Sequence, residues 1–357
     1  YSAIIDANVT TLLVAAVLAK FGLGPIKGFA VVLIIGVVSS LLTAVLFGKL
    51  MIDGYTSKNR ELSFWTGWSK NMFANLTIDW MGKRKIAYIV SGTVIVLGLA
   101  SIFTRGFNLG VDFKGGYSYD VQFDNNVSQE DIKTNLTSVF GTAPVVKTVD
   151  TDNTYQITTA YLIDDNTEGN DVKVEEALYN GLKDMSTTAV TFDQFRDSEI
   201  AKGMHIISST KVGPTIADDI SKSSIYAGLF ALILIFLYIF IRFNKWQYSL
   251  GAVAALFHDS LIVLGLFSLL KDFMPFSLEI DQAFIAAILT VIGYSINDTV
   301  VVFDRIREYL GIYTNKEKDE IINAALNSTF SRTIITSLTT LLVVGTLLIF
   351  GGATIKG

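Results

Sequence analysis

The sequence predicts a multi-pass α-helical membrane protein with one small α+β domain set between its helices. Three observations lead there: apolar runs of membrane-spanning length, a Lys/Arg bias that alternates between loops, and a single long polar insert with strand and helix periodicities. Hydrophobic residues make up 51% of the 357-residue chain and charged residues only 17%, far from the balance of a water-soluble globule.

Apolar runs near 20 residues, the length that crosses a bilayer, occur at about 3–20, 28–51, 86–103, 220–241, 248–269, 282–303 and 333–350. Lys and Arg mark the expected cytoplasmic side. Lys49, Lys58, Arg60, Lys70, Lys83, Arg84 and Lys85 fall in 49–85, Arg242 and Lys245 in 242–247, and Arg305, Arg307, Lys316, Lys318 and Arg332 in 304–332. Apart from the insert, the opposite loops hold only Lys27 and Lys271. The first helix is expected to enter from the cytoplasm, and the alternation holds through all seven runs.

The insert, 104–219, is expected on the far side of the membrane. In "YSYDVQFD" (117–124), Tyr117, Tyr119, Val121 and Phe123 alternate with polar residues, the period of a strand with one buried face. Ser128 and Asp131 have capping-box spacing, and Ile132, Leu136, Val139 and Phe140 then form one helical face. Strands follow at 144–149 and 154–162, a helix on Val174, Leu178, Leu182 and Met185, and a strand at 204–212. The order βαββαβ is ferredoxin-like.

The expected organisation is therefore two helices in 1–51, a linker at 52–85, a helix at 86–103, the domain at 104–219 and four helices in 220–357. The aromatic-rich linker segment 53–82 and the amphipathic 315–330 are both expected to lie in the cytoplasmic membrane interface.

Other function classes fall away on composition. There is no cysteine, so thiolate catalysis and cysteine metal sites are excluded, and two histidines, His205 and His258, are too few for a histidine-rich centre. No metal site, cofactor or covalent catalysis is expected. The net charge of −5 argues against a nucleic-acid partner.

Short identities recur at an offset of 329 residues. "TTLLV" stands at 10–14 and 339–343, "FG" at 21–22 and 350–351, "IKG" at 26–28 and 355–357, and Ser2 aligns with Ser331. Several matches in one register indicate a parallel internal repeat, a common way of building transporters. By that repeat, a helix is expected to follow Gly357, and a counterpart of the helix holding Asp298 to precede Tyr1.

Ionisable residues inside apolar runs are the candidate functional groups. In "VIGYSINDTVVVFDRIREYL" (291–310), Asp298 lies about six residues from the end of its run, roughly 9 Å deep. Thr290, Gly293 or Tyr294, Asn297 or Asp298, and Val301 line up at helical spacing along one face. Arg332 opens the last run, with Thr336, Thr339 and Thr340 continuing its face. A carboxyl in low dielectric prefers its neutral form, and a neighbouring guanidinium prefers it charged. That competition suits a reversible proton carrier; a permanent salt bridge or a packing contact is the alternative. His258 and Asp259 form a second intramembrane pair, either a relay or an interhelical packing contact. Asp6, near the start of the first run, is expected to cap that end. In "GVDFKGG" (110–116), the glycines suit a tight exit from the membrane, and with no helix N-terminus directly after them phosphate binding is not expected.

"GVDFKGG", "VGPTIADDI" (212–220), "GYSINDTVVVFDRIRE" (293–308) and "SRTIITSLTTLL" (331–342) resemble signature segments of SecF, and residues 4–36 resemble the end of SecD. Together they resemble the fused SecDF arrangement of the RND superfamily. The resemblance implies an accessory part of the Sec translocase in the bacterial inner membrane, using the proton gradient to help draw preproteins out. It matches Asp298 to a proton-pathway aspartate and Arg332 to the arginine of the following helix; Gly110, Asp112, Gly115 and Gly116 match the glycine motif. Implied partners are the SecYEG translocon, a SecD-like portion outside this chain, YajC, preproteins, protons and the lipid bilayer. An RND-type exporter of lipid or small molecules is the alternative, and a passive scaffold a third reading.

Overall fold

Long helices dominate the computed structural model, which describes residues 2–22, 25–58, 77–150, 153–165, 167–197, 203–243, 245–274 and 278–350. In chain order, helix α1 is Ser2–Phe21 and α2 is Pro25–Leu41, which continues through a π-helical stretch, Leu42–Phe47, into α3, Gly48–Thr56. Helix α4 is Trp80–Arg105, followed by strand β1 (Asn108–Leu109), the one-turn α5 (Val111–Lys114), β2 (Gly116–Gln122) and α6 (Gln129–Phe140). Then come β3 (Val145–Asp150), β4 (Thr154–Thr159), α7 (Asn170–Leu182), α8 (Phe192–Phe195) and β5 (His205–Val212). Helices α9 (Pro214–Phe243), α10 (Trp246–Leu270), α11 (Gln282–Ile312) and α12 (Lys318–Phe350) complete the chain, with β6 (Glu279–Ile280) before α11.

Six of these helical stretches are long and apolar enough to cross a membrane, and Asn8–Phe21 is a shorter apolar helix. Side chains such as Ile86, Tyr88, Ile89, Val96 and Phe103 of α4 are exposed within the chain. So much uncovered apolar surface would be costly in water and is the ordinary state of a helix facing lipid. The chain is a multi-pass helical membrane protein with a small sheet domain.

The two compact units are described separately. In the helical unit, Val14, Val17 and Leu18 of α1 pack with Ile26 and Ala30 of α2, Ala231, Ile235 and Ile239 of α9, Leu256 of α10 and Ile296 and Val300 of α11. Small residues let backbones approach: an added Cβ at Gly98 of α4 would stand 2.8 Å from the Cα of Gly265 on α10.

The sheet unit has the strand order β3-β4-β2-β5, antiparallel at every junction. Tyr117, Tyr119, Val121 and Phe123 all face its core, where Ile132, Leu136 and Phe140 of α6 and Val174, Leu178 and Leu182 of α7 meet them. Each such aliphatic or aromatic side chain contributes roughly 1.5–3 kcal/mol by leaving water. Ser128 caps α6 by accepting from the Glu130 N–H rather than that of Asp131, and the complete capping box belongs to Thr191 and Gln194 at α8.

Several expectations shift. Helix α4 begins at Trp80 and α9 at Pro214, so both extend past their apolar runs. The segment 315–330 is not a separate interfacial piece, because residues from Lys318 onward form the first turns of α12. Its inward side is claimed by the chain itself: the Asn327 amide accepts from Ile78 N (3.2 Å) and Trp80 Nε1 (3.0 Å) and donates to Ile78 O (2.9 Å). Asn323 accepts from Met81 N at 2.9 Å, so one of the free N–H groups expected at the start of α4 finds its partner on α12. Most of the aromatic linker, residues 59–76, and the repeat segment 351–357 lie outside the described residues.

Candidate functional site

Four helices of the apolar unit carry a row of polar side chains. Ser91 of α4 hydrogen-bonds the Nε2 of His258 on α10. His258 Nδ1 meets Asp259 Oδ1 at 2.8 Å, and Ser295 of α11 donates to Asp259 Oδ2 at 2.5 Å. One turn further along α11 is Asp298, which the Thr336 hydroxyl of α12 approaches at 3.5 Å. Arg332, one turn before Thr336, lies within electrostatic reach of that carboxylate.

Asp298 and Arg332 do not close into an ion pair: among the described residues, none of the salt bridges joins them. The 3.5 Å contact to Thr336 is long, because that hydroxyl has one proton and also meets the carbonyls of Arg332 (3.1 Å) and Thr333 (3.0 Å) on its own helix. The aspartate therefore sits half-buried with weak partners. Asn297 is half-buried beside it. Gly293 lies near Thr11 of α1, whose Oγ1 would be 3.7 Å from an added Cβ. Helix α11 runs on through the charged stretch to Ile312, so its end does not mark the edge of the apolar span. Asp6 is on α1, with its side chain outside the described residues.

The glycine motif lies in the sheet unit. Gly110 N–H donates to Ile280 O at 2.9 Å, extending the parallel β1–β6 pairing, and Asp112 accepts from Gln282 N (3.2 Å) and Nε2 (2.7 Å) at the start of α11. Within the motif, Val111–Lys114 forms the single turn α5, and the strand β2 follows directly. Gly115 has φ +78°, and an added Cβ at Gly116 would meet Thr159 O at 2.8 Å, so both positions need glycine. Lys147 of β3 bonds Glu279 at 2.9 Å and stands 3.7 Å from Asp281, next to the same helix start.

Among the described residues, no group of three or more His, Asp or Glu converges as a metal set. Sequence reasoning missed Ser91, Ser295 and Lys147. A signal existed for the first: Ser91 and Gly98 are spaced like His258 and Gly265, seven residues apart on two helices.

The family described as "Protein export membrane protein SecD/SecF, C-terminal" matches residues 194–357, and the "SecD/SecF GG Motif" matches 100–127. The protein translocase subunit SecF of Rhodothermus marinus is 45% identical over 286 residues, covering 80% of this chain and 86% of that protein. The chain belongs to the SecD/SecF family. The SecDF of Bacillus subtilis is 32% identical over 99% of this chain and 47% of its own length. A crystal structure of SecDF from Thermus thermophilus, described as a translocon-associated membrane protein, superimposes with a TM-score of 0.78 at 30% identity, over 99% of this chain and 44% of that one. The chain thus spans less than half the length of the SecDF proteins it matches. The 100–127 match includes the Gly110–Gly116 segment, whose Asp112 meets the start of α11.

Proposed function

We propose that this chain is part of an accessory component of the Sec protein translocase, a transport device without covalent catalysis. In this reading it resides in the bacterial inner membrane with residues 104–219 on the periplasmic side, and it uses the proton motive force to promote preprotein movement out of the SecYEG translocon. A SecD-like portion and YajC are its further partners.

The observation that carries the proton-driven part is Asp298 on α11, which the Thr336 hydroxyl of α12 approaches at 3.5 Å and which, among the described residues, is in no salt bridge. An intramembrane carboxyl held this loosely can take up and release a proton. Protonation removes its attraction for Arg332 and changes which α11–α12 packing is favoured. Helix α11 begins at Gln282, whose N–H and side chain bond Asp112 of the GG motif, so a shift of α11 would be felt at the exit of the sheet domain. In the intact protein, Asp298→Asn should abolish the proton-dependent part of preprotein export, and Asp298→Glu should retain some of it. Export that stays fully proton-dependent in the Asn variant would remove Asp298 from the mechanism.

A further inference from the structure

Ser91, His258, Asp259 and Ser295 link three helices with both ring nitrogens and both carboxylate oxygens engaged. His258 and Asp259 are at the middle of α10, thirteen and fourteen residues into its 25. A carboxylate accepts and does not donate, so Nδ1 carries the proton toward Asp259, and Nε2 presents its lone pair to the Ser91 hydroxyl. Ser295 is a second donor to the carboxylate.

In that state the array carries one net negative charge in apolar surroundings. One proton added at Nε2 turns the imidazole into imidazolium beside Asp259, the net charge becomes zero, and the Ser91 hydroxyl rotates from donor to acceptor. No bond other than N–H forms and no other group is consumed. An ion pair is easier to hold in an apolar unit than a lone charge. We propose that this array is a second proton-binding station, separate from Asp298 and one helical turn from it through Ser295. The proposal rests on the proton-driven reading above.

The surroundings fit a site that exchanges protons. The side chains of His258 and Asp259 are 38% and 37% exposed within the chain, so the chain's own packing does not enclose the array. Helix α10 carries no charged group other than Asp259, and α11 contributes Asp298, with Arg332 opposite it on α12. On α4 the nearest cations, Lys83, Arg84 and Lys85, lie six to eight residues from Ser91, roughly 9–12 Å along the helix. From α1, Thr11 is near Gly293 and brings no charge. The close approach of Gly98 and Gly265, seven residues beyond Ser91 and His258, holds α4 and α10 near enough for the first link.

The test uses the intact protein in liposomes with nitrogen-15-labelled histidine, and the proton itself as ligand. Loss of one resonance in His258→Gln assigns His258. His258 should titrate to imidazolium with Nδ1 protonated throughout. Asp259→Asn should weaken its proton binding on the order of tenfold, and Ser295→Ala and Ser91→Ala should do so less. Proton-driven export should fall in His258→Gln. A His258 that stays neutral from about pH 5 to 9, or a titration unmoved by Asp259→Asn, overturns the station even if Asp298 proves essential. The serine variants keep every ionisable group, so a resonance they leave unmoved also counts against it. Wild-type export in Asp298→Asn would instead overturn the proton-driven reading, while the His258 titration is still decided by its own resonance.

Discussion

Gly98 of α4 and Gly265 of α10 meet backbone against backbone: a Cβ on the first would stand 2.8 Å from the partner's Cα, and on the second 2.9 Å. No side chain can occupy that space, so the crossing sets how closely the two helices lie. Ser91 and His258, each seven residues earlier, touch because of it.

Gly98→Val should therefore destabilise the helical unit by about 1–3 kcal/mol through overpacking. Gly92, whose added Cβ would meet nothing within 4 Å, is the control, and Gly92→Ala should change stability by less than about 1 kcal/mol. Thermal melts of the two variants in the same detergent check the difference. Equal melts would mean that α4 can move away from α10 at little cost.

Lys147 and Glu279 form an ion pair at 2.9 Å with side chains only 18% and 5% exposed. Lys147→Met leaves the Glu279 carboxylate buried beside one fewer cation and should cost about 3 kcal/mol. Adding Glu279→Gln should recover part of that loss, because the unpaired charge goes with it. Hydrogen exchange at β3 and at the start of α11 should rise in the single variant and fall back in the double one.

Asp124 accepts from Ser186 Oγ (3.0 Å), Thr187 N (3.1 Å), Thr187 Oγ1 (2.5 Å) and Thr188 N (2.7 Å). Partial burial opposes its charge, yet these donors hold the carboxyl well below the ordinary value of 3.8. A depressed folded-state value gives stability that is complete above the ordinary value and drains away as pH falls below it. Asp124→Asn should cost about 1 kcal/mol at neutral pH, allowing for solvent screening, and the gap to wild type should narrow in acid. Urea melts of the sheet domain across that range test the sign.

Asn327 makes three hydrogen bonds to Ile78 and Trp80 at the start of α4. Asn327→Ala should lower stability by about 1–3 kcal/mol, since half-buried backbone groups lose their partner. Asn327→Asp keeps the acceptor oxygens and should rescue part of it, with the donor to Ile78 O still missing. A melt in which the two variants behave alike would assign the effect to lost packing and not to the hydrogen bonds.

The apolar runs were legible as helices because a segment near 20 apolar residues has few other ways to satisfy its backbone in a bilayer. The alternation of Tyr117, Tyr119, Val121 and Phe123 fixed which face of β2 turns inward, since a strand has a period of two. Asp298, Arg332, His258 and Asp259 stood out by being ionisable within apolar sequence. Helix ends were less legible: the apolar run stops near 303, but α11 continues to Ile312 because polar side chains do not oppose helix once it leaves the apolar layer.

What the sequence determined by itself was thus the inventory: which segments cross, which fold as a small sheet domain, and which titratable groups are in apolar surroundings. These follow from local period and composition, which each segment carries alone. Only the tertiary structure decided who meets whom. Ser91 reaches His258 across 167 residues, Ser295 reaches Asp259 across 36, and Asp298 stays short of an ion pair with Arg332. Those distances depend on helix rotation and spacing, which are set by contacts such as Gly98 against Gly265 between segments far apart in the chain.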